Sequence, residues 1–177
     1  MILQMLPLGH MGIGLQLVRP LTADLSKKWV LVGALLPDLI DKPLYYGLTY
    51  FPPFDFLQEG VVQGTRTFGH TGLVLFLLTV YAVSKGSSRM IALSLGVASH
   101  LFLDVMGDSL ELFDQSATVK AILFPFLGLK FNALRPISMG SHLEGSVRTS
   151  YVAISEVIGV LLLGYEYLRT RTKPLIK

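Results

Sequence analysis

Apolar runs alternate with short polar breaks along this chain, and the breaks define the elements. Leu8 to Leu25 is largely apolar but interrupted by Arg19-Pro20. It predicts a helix from about residue 10 with a kink or break at that pair, ended by Asp24, Ser26, Lys27 and Lys28. Trp29 to Ile40 is a second run. It closes in Leu35-Leu36-Pro37-Asp38-Leu39-Ile40-Asp41-Lys42-Pro43, where two prolines bracket two carboxylates, and the helix is expected to stop there. Residues 44–66 are aromatic and turn-rich, with Tyr45, Tyr46, Tyr50, Phe51, Phe54 and Phe56, and read as an interfacial loop or belt. Residues 68–84 and 90–106 are strongly apolar helices separated by the turn Lys85-Gly86-Ser87-Ser88-Arg89. Residues 107–148 are mixed, and their apolar piece from Ile122 to Gly128 is short and broken by Pro125. Residues 149–168 make the last apolar helix, before Arg169, Arg171, Lys173 and Lys177.

Composition narrows the class. Hydrophobic residues make up 51% of the 177 and charged residues 15%, with mean hydropathy +0.57; a soluble domain carries about 25% charge. The expectation is a single all-α domain over residues 1–177, a polytopic membrane bundle of about five helices. The first two runs are short against the roughly 20 residues a crossing needs, which suits a helical hairpin packed inside the bundle. There is no cysteine, so disulfides and thiolate metal sites are excluded. Any metal is held by His, Asp and Glu, a donor set for zinc, manganese or iron. The net charge of +3 sits beside apolar segments rather than along one face, so no nucleic-acid partner is expected. The first residues carry no basic stretch, so no cleavable signal peptide is expected.

The placement of charge orients the bundle. The turns and tail at 26–28, 85–89 and 169–177 are basic, and helices of alternating direction put all three on one face. By the positive-inside rule that face is cytoplasmic, and so is the C-terminus. His10, Asp38, Asp41, His70, His100 and Asp104 then all fall at the opposite, non-cytoplasmic end, and His142 lies in a loop on that side.

That one-sidedness points to chemistry. His100 and Asp104 are four apart in an apolar run and share a helix face. Taken alone, such a pair reads equally as a hydrogen-bonded couple in a core. Gathered with the others, the six residues can hold one divalent metal, or two about 3.5–4 Å apart. Asp38 and Asp41 lie about one helical turn apart. Nucleophilic serine catalysis is less attractive, because Ser99 beside His100 has no nucleophile-elbow context. Arg66, four before His70, reads as a bidentate phosphate clamp at the mouth of the site or as an interfacial arginine; Lys42 has the same ambiguity. His142 and Glu144 read as a lid ligand, a general acid or a solvated loop, and Glu156 as a partner for a metal-bound histidine or a structural hydrogen bond. Asp108, Glu111 and Asp114 read as a solvated loop face.

A resemblance rests on these residues. His10, the stretch Gly33 to Pro43 with Leu36-Pro37-Asp38, Arg66-Thr67-Phe68-Gly69-His70-Thr71, and Ser99-His100-Leu101-Phe102-Leu103-Asp104 follow in an order that resembles the membrane-bound metal-dependent hydrolases of the YdjM type. Leu123-Phe124-Pro125-Phe126 is similar to that family's proline-containing piece, and the resemblance covers about residues 8–131. More distantly, the family is similar to the zinc-dependent phospholipase C and nuclease group, whose metals are held by His, Asp and His-x-x-x-Asp ligands. The resemblance implies metal ligands at His10, Asp38, Asp41, His70, His100 and Asp104. Many relatives read Asp-x-Asp-His after the proline where this chain has Asp38-x-x-Asp41 followed by Lys42, and a second His-x-x-x-Glu helix is absent. The functional expectation is an integral membrane hydrolase with a divalent metal, zinc favoured, acting through metal-activated water on a phosphoester such as a lipid or lipid-linked head group. The alternative is a non-catalytic metal-binding membrane module or partner subunit. A proton or cation path is disfavoured, because the polar residues stop on one side.

Overall fold

Pro7 stands in the first turn of the first helix, where its missing N–H costs nothing. In the computed structural model, residues 5–21, 25–50, 62, 64–110, 116–131 and 150–171 are described, and among them all regular structure is helical. Helix α1 (Pro7–Val18) passes into a tight 3-10 turn, Arg19–Leu21, where the Arg19-Pro20 pair foretells a break. Helix α2 spans Lys27–Tyr50. A 3-10 turn, Phe68–His70, leads into α3 (Gly72–Ser84), whose first turn is capped by the Thr71 hydroxyl accepting from the Val74 N–H at 3.2 Å. Helices α4 (Ser88–Leu110), α5 (Ser116–Ile122) and α6 (Ser150–Arg171) complete the set.

The second helix overturns an expectation. It does not stop at its prolines but continues through Pro37 and Pro43 to Tyr50. Each ring removes one N–H and crowds the carbonyl four residues earlier, a cost of about 3 kcal/mol in an isolated helix. Here α2 packs against α1, α4 and the Phe68–His70 turn, and that packing holds it helical across both rings. The start of the aromatic stretch is therefore the end of α2, with Tyr45 and Leu48 buried against Val62 rather than lying in a surface loop. Of that stretch, residues 51–61 and 63 lie outside the described residues.

Directions follow from the contacts. Val30 of α2 packs with Ala92 of α4, and further along the Ala34 carbonyl meets His100, so α2 and α4 run parallel. Helix α1 runs the other way. Val18 sits at the Val30–Ala92 level, and His10 stacks on His100. Helix α6 lies along α1 in the same direction, with Glu156 beside Gly9 and Glu166 beside Lys27 and Arg19. Two contacts need glycine. A Cβ on Gly33 would lie 2.1 Å from the Leu93 carbonyl oxygen, and one on Gly12 would lie 2.2 Å from that of Gly159. These pairs let the helices approach backbone to backbone.

Two helices are long and apolar enough to cross a membrane, over Ser88–Ser109 and Ser150–Arg171, and α3 is a shorter apolar helix. The expected all-helical class is thus met, and of the expected polytopic bundle of about five helices two are candidate spans among the described residues. Outward faces are apolar: Phe76, Leu77 and Val83 on α3, and Val157, Leu161 and Leu168 on α6, are exposed.

Candidate metal centre

Asp38 and Asp41, about one turn apart on α2, grip the two nitrogens of a single imidazole. His70 Nδ1 lies 2.7 Å from Asp41 Oδ2, and His70 Nε2 lies 3.7 Å from Asp38 Oδ1. Asp41 is fully committed: its Oδ2 also accepts from the Thr67 N–H at 2.6 Å, and its Oδ1 from the Gly69 N–H at 2.8 Å. Gly69 permits this approach, since a Cβ there would stand 2.6 Å from the Pro37 carbonyl oxygen. Burial alone would push the His70 pKa down. The hydrogen bonds to Asp104 and Asp41 and the charges of Asp104 and Asp38 outweigh it and raise it to about 9.

His100 is fixed from its far side in the same way. Its Nδ1 lies 2.7 Å from the Ala34 carbonyl, which only accepts, so Nδ1 carries the hydrogen and Nε2 presents its lone pair. Ala34 lies in the turn of α2 just before Pro37, next to Gly33, whose carbonyl the proline leaves without its helical partner. His10 stacks on the His100 ring with centroids 3.8 Å apart, and its buried Nδ1 has no partner among the described residues. Glu156 anchors the start of α1 by accepting from the Gly9 N–H at 2.6 Å. That is the structural hydrogen bond among its sequence readings.

The centre of the group is Asp104. Its Oδ2 lies 3.4 Å from His70 Nε2 and 3.6 Å from His100 Nε2, and its Oδ1 lies 3.6 Å from His10 Nε2. His70 Nε2 and His100 Nε2 are 3.2 Å apart. Zinc bonds of about 2.0–2.1 Å place neighbouring ligands of a tetrahedron about 3.4 Å from one another, so these separations are tetrahedral edges. Two groups of ligand atoms lie within 4.8 Å of one another, His10 with His100 and Asp104, and Asp38 with His70 and His100. The donor set is nitrogen and oxygen alone, and the residues fit a divalent cation.

Arg66 does not stand at a mouth with a free fork. It is buried, with NH2 3.1 Å from Asp104 Oδ1 and NH1 2.6 Å from Asp108 Oδ2, and NH1 also donates to the Thr118 hydroxyl. Burial works against its charge, and Asp104 and Asp108 outweigh that and raise its pKa. Its guanidinium is engaged by Asp104 and Asp108 and compensates their charge. Asp108 is correspondingly no solvated loop residue. It lies on the His100–Asp104 face of α4, and the spacing of four from Asp104 was the signal that could have placed it. Lys42 pairs with Asp38 Oδ2 at 2.5 Å. His142, Glu144, Glu111 and Asp114 lie outside the described residues.

Of the six ligands expected from the sequence, all are brought to one end of the helices, and five direct an atom into the shared centre. Asp41 stands behind His70 instead. Sequence reasoning missed the backbone groups of Thr67, Gly69 and Ala34, which leave no mark in residue type.

Residues 5–171 match the model of the YdjM inner membrane protein family. The chain belongs to that family. Searches of curated proteins and of solved structures return no match. YdjM membership makes this a membrane protein and accounts for the exposed apolar faces of α3 and α6, which a bilayer covers.

Proposed function

We propose that this YdjM-family protein is a membrane-embedded, metal-dependent hydrolase of phosphoesters. The observation that carries the reading is the convergence of three imidazole Nε2 atoms and two carboxylates at tetrahedral-edge separations. A divalent cation held there, zinc first and manganese or iron next, would supply a water ligand of pKa about 7 and a Lewis acid for a phosphoryl oxygen. His70, His100 and Asp104 would hold the cation, together with His10 and Asp38. Asp41 and the Ala34 carbonyl keep His70 and His100 in the tautomer that offers Nε2, as partners of metal-bound histidines do. Asp38, the ligand most open to solvent at 8% exposure, marks the side from which a phosphoester approaches.

Placement supports a lipid or lipid-linked head group as substrate. His100 and Asp104 lie in the second half of the candidate span Ser88–Ser109, toward the end away from Lys27 and Arg169. By the positive-inside rule the basic end and the C-terminus are cytoplasmic and the metal centre is not.

The deep burial of His10, His70 and His100 favours a second reading, a closed metal site that stabilises the bundle without catalysis. Metal analysis of the detergent-purified protein, with His100→Ala alongside, tests the site. About one or two equivalents of transition metal, lost in the variant, are expected, and release of phosphate or alcohol from phosphodiester and phospholipid substrates should follow the metal. No bound metal and no uptake on adding zinc or manganese overturns the proposal. Full occupancy without turnover leaves the closed site.

A further inference from the structure

After α5 the chain makes an ordered turn with apolar side chains pointing outward. Phe126 is 87% exposed and Leu129 73%, and Leu123 and Leu127 are exposed with them. This is not loose chain. The Phe126 N–H donates to the Leu123 carbonyl at 2.8 Å, and the Gly128 N–H to the Pro125 carbonyl at 3.1 Å. Phe124 and Phe131 stack beneath the turn at 4.7 Å, and Phe68 packs edge-on against both. The fold therefore holds the turn's inner aromatics and presents its outer apolar residues to the surroundings.

Its neighbours identify what covers it. Ile122 meets Gly72 at the first turn of α3. From there α3 carries exposed Leu73, Phe76, Leu77 and Val80, so the turn's apolar surface continues the lipid-facing side of an inner membrane protein. Exposed Lys130 follows Leu129 directly, as a cation flanks an apolar anchor at the headgroup level. On the inner side, Phe68 lies two residues before the metal ligand His70, so the turn sits at the metal-centre end of the helices.

We infer that the turn from Leu123 to Leu129 is a membrane anchor that inserts into the leaflet on the metal-centre side, with phospholipid acyl chains as its occupant. The anchor is separate from hydrolysis, and it is measured without metal or substrate. The chain has no cysteine, so a nitroxide attaches at one chosen position. The experiment places it on Phe126→Cys and Leu129→Cys, with Lys85→Cys in the turn after α3 as a water-exposed reference, in vesicles of phosphatidylethanolamine and phosphatidylglycerol. Oxygen collisions are expected to exceed those of a water-soluble nickel chelate at both positions, with a depth of about 5–10 Å below the phosphates. Two sites guard against one variant folding poorly. Nickel access matching Lys85→Cys at both sites overturns the inference. Shielding from oxygen and nickel alike also overturns it, because the cover is then protein, either a second copy or another segment of this chain.

Discussion

His70 Nε2 and His100 Nε2 face each other at 3.2 Å, and the Nδ1 of each is held on its far side by Asp41 and by the Ala34 carbonyl. Two imidazoles so arranged cannot both present bare lone pairs without repulsion. Something positive belongs between them. In the metal-free protein a proton on His70 serves, which agrees with its pKa near 9. A divalent cation would serve in its place.

The exchange predicts a proton count. His70 is raised from 6.5 to about 9, so below that pH a metal must displace its proton. Zinc binding at pH 7.5 is expected to release about one proton from His70, and the apparent affinity should climb about tenfold per pH unit until it flattens above pH 9. Calorimetric titrations in buffers of differing ionisation enthalpy give the count directly. A pH-independent affinity between 7 and 8 sinks the assignment of His70 as ligand.

Asp38 and Asp41 should separate although both serve one imidazole. Among the described residues Asp41 hydrogen-bonds His70 Nδ1 and two backbone N–H groups, so Asp41→Asn is expected to weaken metal binding about 10–100-fold without abolishing it. Asp38→Ala removes an oxygen directed at the centre and should lower the stoichiometry or affinity further. Competition against a coloured chelator ranks the two. The reverse order would put Asp41, not Asp38, in the coordination shell.

Arg66 is a stability residue in this architecture. Removing it leaves buried Asp104 and part-buried Asp108 without their cation, which costs about 3–5 kcal/mol. Arg66→Met is expected to unfold at markedly lower temperature in detergent. Arg66→Met with Asp108→Asn should recover part of that loss, since the second change removes one of the stranded charges. A clamp for substrate phosphate would instead leave thermal stability intact and raise KM.

The sequence announced the His/Asp cluster more clearly than the helices. His100 and Asp104 could be paired by spacing alone, and the basic turns correctly gathered His10, Asp38, His70 and His100 at one end, because helix direction follows from counting apolar runs. Pro37 and Pro43 misled, since proline reports the cost to an isolated helix and says nothing of the neighbours that hold α2 together. Asp108 misled for a related reason: read singly it looks like a solvated loop residue, and only the fold brings buried Arg66 against it. The roles of Ala34, Thr67 and Gly69 lie in the backbone, where residue type is silent.

The glycine contacts give the last prediction, because they set the distance between the helices that carry the ligands. Helix α2 brings Asp38 and Asp41, and α4 brings His100 and Asp104, across a gap closed at Gly33 and Gly96. A Cβ on Gly33 would stand 2.1 Å from a backbone oxygen of Leu93, and one on Gly96 would stand 2.2 Å from that of Val30. Backbone cannot step aside as a side chain does, so Gly33→Ala must part the helices. Overpacking of this kind costs about 1–3 kcal/mol or more. The larger effect should fall on the metal, because a shift of even half an ångström between α2 and α4 spoils the grouping of Asp38 with His100. Gly164→Ala on α6 is the control: nothing lies within 4 Å of its added Cβ, and it should leave both stability and metal content unchanged or slightly raised. Measuring thermal unfolding and bound metal on the same preparations decides the matter. Equal behaviour of the two variants would mean that the α2–α4 contact does not position the centre.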